Sequence, residues 1–141
     1  MFFNQNRQQS RQMFFDSWKK HRAGEPLEPL EKQIVSVIDE HPEYHALLHD
    51  PADVADRDFG TDGGEENPFM HMGMHLALRE QVGTDRPAGI KAVTRALLLK
   101  YQDGHHVEHL MMEKLGLMLW NAQVANTLPD EQAYLESLKT I

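Results

Sequence analysis

The sequence of 141 residues contains no cysteine. This absence excludes disulfide scaffolds, thiolate zinc sites, iron–sulfur clusters and cysteine nucleophiles. Long apolar runs are also missing, so we expect no membrane-spanning helix, and residues 1–12 are too polar for a signal peptide. Basic residues are few, with 14 Lys and Arg against 22 Asp and Glu and a net charge of -8. Because an acidic surface repels phosphates, we expect no nucleic-acid partner. Because the sequence predicts neither a membrane-spanning helix nor a signal peptide, we expect a cytoplasmic protein without a membrane partner.

Histidine, in contrast, is frequent. The chain contains nine histidines, and all except His21 fall into three groups: His41, His45 and His49; His71 and His75; and His105, His106 and His109. Clusters of imidazoles at helical spacing are typical of transition-metal sites. The helices that carry these three groups are therefore where a metal site is expected.

Helical periodicity and helix punctuation extend along the whole chain. They predict an all-α fold, an antiparallel bundle of about five to six helices in one domain over residues 1–141. The predicted helices cover residues 4–22, 30–41, a short segment with His45 and His49, 67–82, 84–101, 105–124 and 129–138. The acidic stretch 50–66 is predicted to be a solvated loop, because its carboxylates do not have the EF-hand spacing.

The helix that begins at Asn67 places His71 and His75 one turn apart on its predicted core face, together with Met74. Glu80 is nine residues beyond His71, which places it on the opposite side. In the helix that begins after Gly104, His105, His109 and Glu113 form a stripe at intervals of four residues. Met112, Gly116, Leu119 and Trp120 are predicted to share that broad face. A carboxylate on an apolar face is costly unless it is paired or binds metal.

We therefore expect a metal site in which the two histidine pairs converge. The candidate ligands are His71, His75, His105, His109 and Glu113, followed in rank by His41 and His45. An imidazole-rich set without thiolates suits iron, zinc, nickel or copper, and we expect iron first and zinc second. Seven donors exceed the four that one tetrahedral zinc needs, which favours a dinuclear site or one ion with outer histidines. The pattern leaves open the roles of His21, His49 and His106.

Four segments carry a resemblance over nearly the full length of the chain: residues 41–45 (HPEYH), 67–75 (NPFMHMGMH), 85–89 (DRPAG) and 109–113 (HLMME). With them the chain resembles an uncharacterised bacterial family of unknown function, which implies no activity. A looser likeness is to hemerythrin-like bundles, which hold a di-iron centre with His-x-x-x-His and His-x-x-x-Glu pairs. That likeness implies a non-haem di-iron site at His71, His75, His109 and Glu113, although no second bridging carboxylate is evident.

The function we expect from these patterns is oxygen or redox sensing, oxygen-dependent chemistry or metal handling at a dinuclear site. A second copy of the chain and a small ligand such as dioxygen at the metal are the partners left open, as is catalysis itself. One alternative is a metal-dependent phosphohydrolase of the HD type, with His49-Asp50 completed by His21 and Asp103. The other is a metal-free helical interaction module whose histidines are packing or pH-sensitive contacts.

Overall fold

The computed structural model describes residues 2–51 and 67–141, and side chains from residue 8 onward. No strand occurs in these two ranges, so the all-α prediction is confirmed. Most of the predicted acidic loop lies outside the described residues. The helices are α1 (Phe2–Arg22), α2 (Pro29–Asp39), a 3-10 turn (Pro42–Tyr44), α3 (His45–His49), α4 (Pro68–Thr84), α5 (Ile90–Tyr101), α6 (Gly104–Ala125) and α7 (Glu131–Leu138).

The chain divides into two compact units, Met1–Leu76 and Ala77–Ile141. The boundary falls inside α4, so this helix belongs to both units. A single domain over the full chain stays a prediction. None of the described helices combines the length and the hydrophobicity that crossing a membrane requires.

The first unit has an aromatic and aliphatic core formed by α1, α2, α3 and the start of α4. The Phe69 ring meets the rings of Phe14 and Phe15 edge to face, with centroids 5.8 and 5.7 Å apart. Each such buried side chain contributes roughly 1.5–3 kcal/mol to folding. The core consists of Phe14, Phe15, Trp18, Ile34, Val35, Val37, Ile38, Leu48, Phe69 and Met72.

Two details of the first unit differ from the prediction. The second helix ends at Asp39, before His41. Pro42 explains the early end, because the residue before a proline is disfavoured in helical conformation. In α4 the buried side is centred on Met72 and His75 rather than on Met74 and His71.

The start of α4 is confirmed in detail. The Asn67 side-chain oxygen accepts hydrogen bonds from the backbone N–H groups of Phe69 and Met70, at 3.0 and 3.2 Å. Pro68 follows in the first turn, where its missing N–H is not needed. This cap fixes the phase of the helix, and the buried Phe69 then directs the same side of α4 into the core.

The second unit has its own core, to which α4, α5, α6 and α7 contribute. Asp103 and Asp130 cap α6 and α7, since their side chains accept from His106 N and Ala133 N at 3.2 and 3.0 Å. Such caps stabilise a helix by about 1 kcal/mol each. The buried residues are Leu78, Ile90, Leu97, Val107, Met111, Met112, Leu115, Tyr134, Leu135 and Leu138.

The start of α5 is where the helix prediction is wrong. The helix begins at Ile90 and not at residues 84–87, and α4 continues through Gly83 to Thr84. Asp85 organises a turn instead, since its side chain accepts from the N–H groups of Gly89 and Lys91 at 3.2 and 3.0 Å. Gly89 has a φ of 105°, a conformation that suits glycine and is incompatible with a helix.

Tyr134 joins α7 to α4 within the second unit. Its hydroxyl donates a hydrogen bond of 2.7 Å to Gln81 Oε1, and its side chain is buried. Burial raises the pKa of Tyr134 to about 12. The neutral phenol is therefore the form that the folded unit stabilises.

Replacing Tyr134 by Phe tests this contact. Below pH 10 we expect the variant to be less stable by about 1 kcal/mol, because Gln81 loses its partner. The raised pKa means that the wild-type contribution is fully present below about pH 10 and is lost as pH rises towards 12. Denaturant unfolding from pH 8 to 12 should show the difference between wild type and variant shrinking above pH 10. Parallel pH profiles would contradict this expectation.

Candidate metal centre

Three imidazoles meet in the first unit. The His41 ring centroid lies 5.0 Å from that of His71 and 4.8 Å from that of His75, and the His71 and His75 centroids are 4.9 Å apart. His41 and His75 are 2% and 0% exposed, whereas His71 is half-buried. Sequence reasoning ranked His41 below the α4 and α6 histidines, but its burial places it at the centre of this group.

The end of α2 orients the His41 ring. Its Nδ1 lies 2.7 Å from the carbonyl oxygen of Val37, one helical turn earlier, and can only donate to that acceptor. The proton is therefore on Nδ1, and Nε2 carries the lone pair that a metal ion needs. A hydrogen bond from the other ring nitrogen to a backbone carbonyl is the usual support of a metal-binding imidazole. Tyr44 stacks on the ring, with centroids 5.3 Å apart and planes 6° from parallel.

His71 and His75 lie on successive turns of α4. Their Nε2 atoms are 3.3 Å apart, so one ring donates a hydrogen bond and the other accepts it. The accepting nitrogen of such a pair is unprotonated, and an unprotonated ring nitrogen is what a metal ion binds.

His45 is held against the core. Its Nε2 lies 2.9 Å from the carbonyl oxygen of Ile38, and its ring centroid lies 4.6 Å from that of Trp18. The hydrogen bond uses Nε2, which leaves only Nδ1 for a metal ion. Trp18 also stacks on His21, with ring centroids 5.4 Å apart.

The second unit contributes His105 and His109. They occupy adjacent turns at the start of α6, with ring centroids 4.2 Å apart, and both are half-buried. The Asp103 cap defines where this helix begins and therefore where the pair lies. The prediction that the two histidines share one side of a helix is confirmed.

The rest of the predicted α6 face is only partly correct. Met112 is buried, as predicted, but Glu113 is exposed, and so are Leu119 and Trp120, at 44% and 62%. The buried side of α6 follows Val107, Met111 and Leu115, which leaves the histidine pair on its flank. The expected burial of the Glu113 carboxylate, on which its ranking as a ligand depended, does not occur. Glu80 is exposed on α4, as predicted.

An ion pair that sequence reasoning missed lies in the second unit. Arg79 Nε and Nη2 donate to Glu108 Oε2 and Oε1 at 2.9 and 3.0 Å, a bidentate pair within the second unit. Arg79 follows His75 by one turn of α4, and Glu108 directly precedes His109 on α6. Nothing in either helical pattern singles out Arg79, because a lone arginine on a helix is ordinary.

The residues of the phosphohydrolase alternative serve other roles. His49 is exposed at the end of α3, His21 packs on Trp18, and Asp103 caps α6. Within residues 2–51 and 67–141, the histidines and carboxylates grouped closely enough to hold a metal ion include none of these three. The geometry gives this alternative no support.

Comparison with known proteins identifies a family and no activity. A family model described as a domain of unknown function, DUF1841, matches residues 6–140. The chain belongs to this family. No curated protein and no solved structure matches it. The resemblance to an uncharacterised family is thereby confirmed, whereas the looser likeness to hemerythrin-like bundles is not shown.

A double-mutant cycle on Arg79→Met and Glu108→Gln measures the ion pair. We expect a coupling free energy of about 1 kcal/mol or more, because the contact is bidentate and both side chains are largely buried. The pair Lys139–Glu136 is the control, since its partners are 51% and 57% exposed. Its coupling should be only a few tenths of a kcal/mol, roughly. Equal coupling in the two cycles would show that Arg79 and Glu108 contribute no more than a surface pair.

Proposed function

We propose that this all-α protein binds one transition-metal ion through His41, His75, His105 and His109. These are the described residues whose ring nitrogens could together hold an ion. The observation that carries the proposal is the close approach of His41 and His75 in the core of the first unit, where both imidazoles are buried and their ring centroids are 4.8 Å apart.

The ion pair orients one of the proposed ligands. Arg79 and Glu108 are in bidentate contact within the second unit. Because Glu108 directly precedes His109 on α6, this charge-assisted contact limits how far the start of that helix, and His109 with it, can move.

The chemistry of the donors favours a single ion. Four imidazoles without a carboxylate or a thiolate suit zinc, iron, nickel or copper. Because Glu113 is exposed, the dinuclear site expected from the sequence would lack its carboxylate ligand. His71 contacts His75 through Nε2 and is better suited to orienting that ring than to binding a second ion. Zinc would have its four ligands, whereas iron would keep open positions for dioxygen.

We infer that the role is metal sensing or metal handling. Imidazole ligands release metal as protons compete for their nitrogens, which makes the binding reversible within a modest range of pH. An iron-loaded protein would extend this role to oxygen or redox sensing.

Metal content tests the ligand set directly. Wild-type protein from unsupplemented cells should carry about one transition-metal ion per chain by elemental analysis, since neutral imidazoles bind such ions tightly. His75→Gln and His109→Gln should each remove most of it. The matched controls are His49→Gln and His106→Gln, because both residues are exposed, and Glu113→Gln should also retain metal. Protein without metal, or equal loss in ligand and control variants, would contradict the proposal.

Stability gives a second, independent test. A metal that binds only the folded chain stabilises it by about 2.7 kcal/mol when free metal is 100-fold above its dissociation constant. At roughly 2–4 °C per kcal/mol for a domain of this size, a chelator should lower Tm by several degrees. Lowering the pH through the imidazole range, about 8 to 5, should reduce this chelator effect. His75→Gln serves as the control and should melt identically with and without chelator. Superimposable wild-type melts would exclude a metal that stabilises the fold.

A further inference from the structure

The C-terminal half of α6 presents large apolar side chains to solvent. Leu117, Trp120 and Val124 are 54%, 62% and 68% exposed, and Leu128, just after the helix, is 89% exposed. Their spacings of three and four residues place the three helical members on one side of α6. We refer to these four residues as the apolar ridge. Exposed apolar groups on this scale mark interaction sites in soluble proteins.

A groove runs beside the ridge within the second unit. It has a volume of about 340 Å³ and lies between α6, the segment that follows this helix, and α7. Small side chains, those of Ala122, Ala125 and Ala133, form part of its wall. Leu117 and Leu128 belong to the ridge and also border the groove. One surface therefore offers both a protruding apolar edge and a depression next to it.

The charge pattern indicates what fits this surface. The chain carries a net charge of -8, yet residues 115–129 contain no charged side chain, and the groove is lined by one basic and one acidic residue, Lys114 and Asp130. Two identical acidic chains repel each other over most of their surfaces, and this repulsion is smallest where the surface has no net charge. A twofold arrangement also lets the basic residue of one copy approach the acidic residue of the other, whereas a strongly basic partner would gain little from docking on a face without net charge.

We propose that the apolar ridge and its groove form a twofold interface between two copies of this chain. In a twofold dimer the same surface is used by both copies, so the ridge of one copy packs into the groove of the other. A surface that carries both complementary shapes meets this requirement by itself. The interface uses residues other than the histidines, so it stands or falls independently of the proposed metal site.

Oligomeric state tests the proposal. The full chain should convert from monomer to dimer with rising concentration over roughly 1 μM to 1 mM, a range of ordinary affinities, as measured by sedimentation equilibrium. Trp120→Glu should abolish the dimer, because it buries a charge in an apolar contact. Leu99→Glu is the matched control, since Leu99 is 74% exposed on α5, away from the ridge. It should leave the dimer intact, and circular dichroism confirms that both variants are folded.

Fluorescence locates the interface. Trp120 is 62% exposed and Trp18 is 6% exposed, and these are the two tryptophans of the chain. Dimer formation should shift the emission to shorter wavelength and reduce quenching by acrylamide, with Trp120 responsible. Added salt should not dissociate the dimer, because the contact is apolar. A monomer over the whole range, a dimer that survives Trp120→Glu, or an equal loss in Leu99→Glu would each overturn the proposal.

Discussion

Burial of imidazoles is the constraint on which the first unit depends. His41 and His75 are almost completely removed from solvent, and a buried imidazole is tolerated only if its nitrogens have partners. The hydrogen bond between His41 and the Val37 carbonyl supplies one such partner at the end of α2. Because Pro42 ends that helix just before the ring, one local backbone feature sets both the helix boundary and the orientation of the imidazole.

The α4 helix carries most of the organisation around these rings. Its capped start anchors Phe69 among the aromatic residues of α1. Two turns later it presents His75, and one turn beyond that Arg79 pairs with Glu108 at the start of α6. A hydrophobic anchor and an imidazole in the first unit and an ion pair in the second are thus spaced along one helix.

The positions of most helices and the cap of α4 could be predicted from the sequence. The side of each helix that packs against the core could not always be predicted. The Asn67-Pro68 start and the pairing of His105 with His109 depend on local rules and were predicted correctly. The predicted packing face of α6 was wrong for Leu119 and Trp120, which are exposed. This helix is apolar on several sides, from Val107 to Val124, so periodicity alone does not identify the face that packs. Glu113 was ranked as a ligand on that incorrectly predicted face. The start of α5 was missed because an Asp85 turn and a helix N-terminus share the same residue types.

The excess of apolar surface on α6 has a consistent physical explanation. A helix that is apolar on one side needs one packing partner, and α6 has that partner in the core through Val107, Met111 and Leu115. Its apolar residues continue around the helix towards the C-terminus, where Trp120 and Val124 remain exposed. The histidine pair occupies the N-terminal turns of the same helix. Because the two features are separated by several turns and share no residue, substitutions in one leave the side chains of the other unchanged, so metal binding and self-association can be assigned to different parts of one helix.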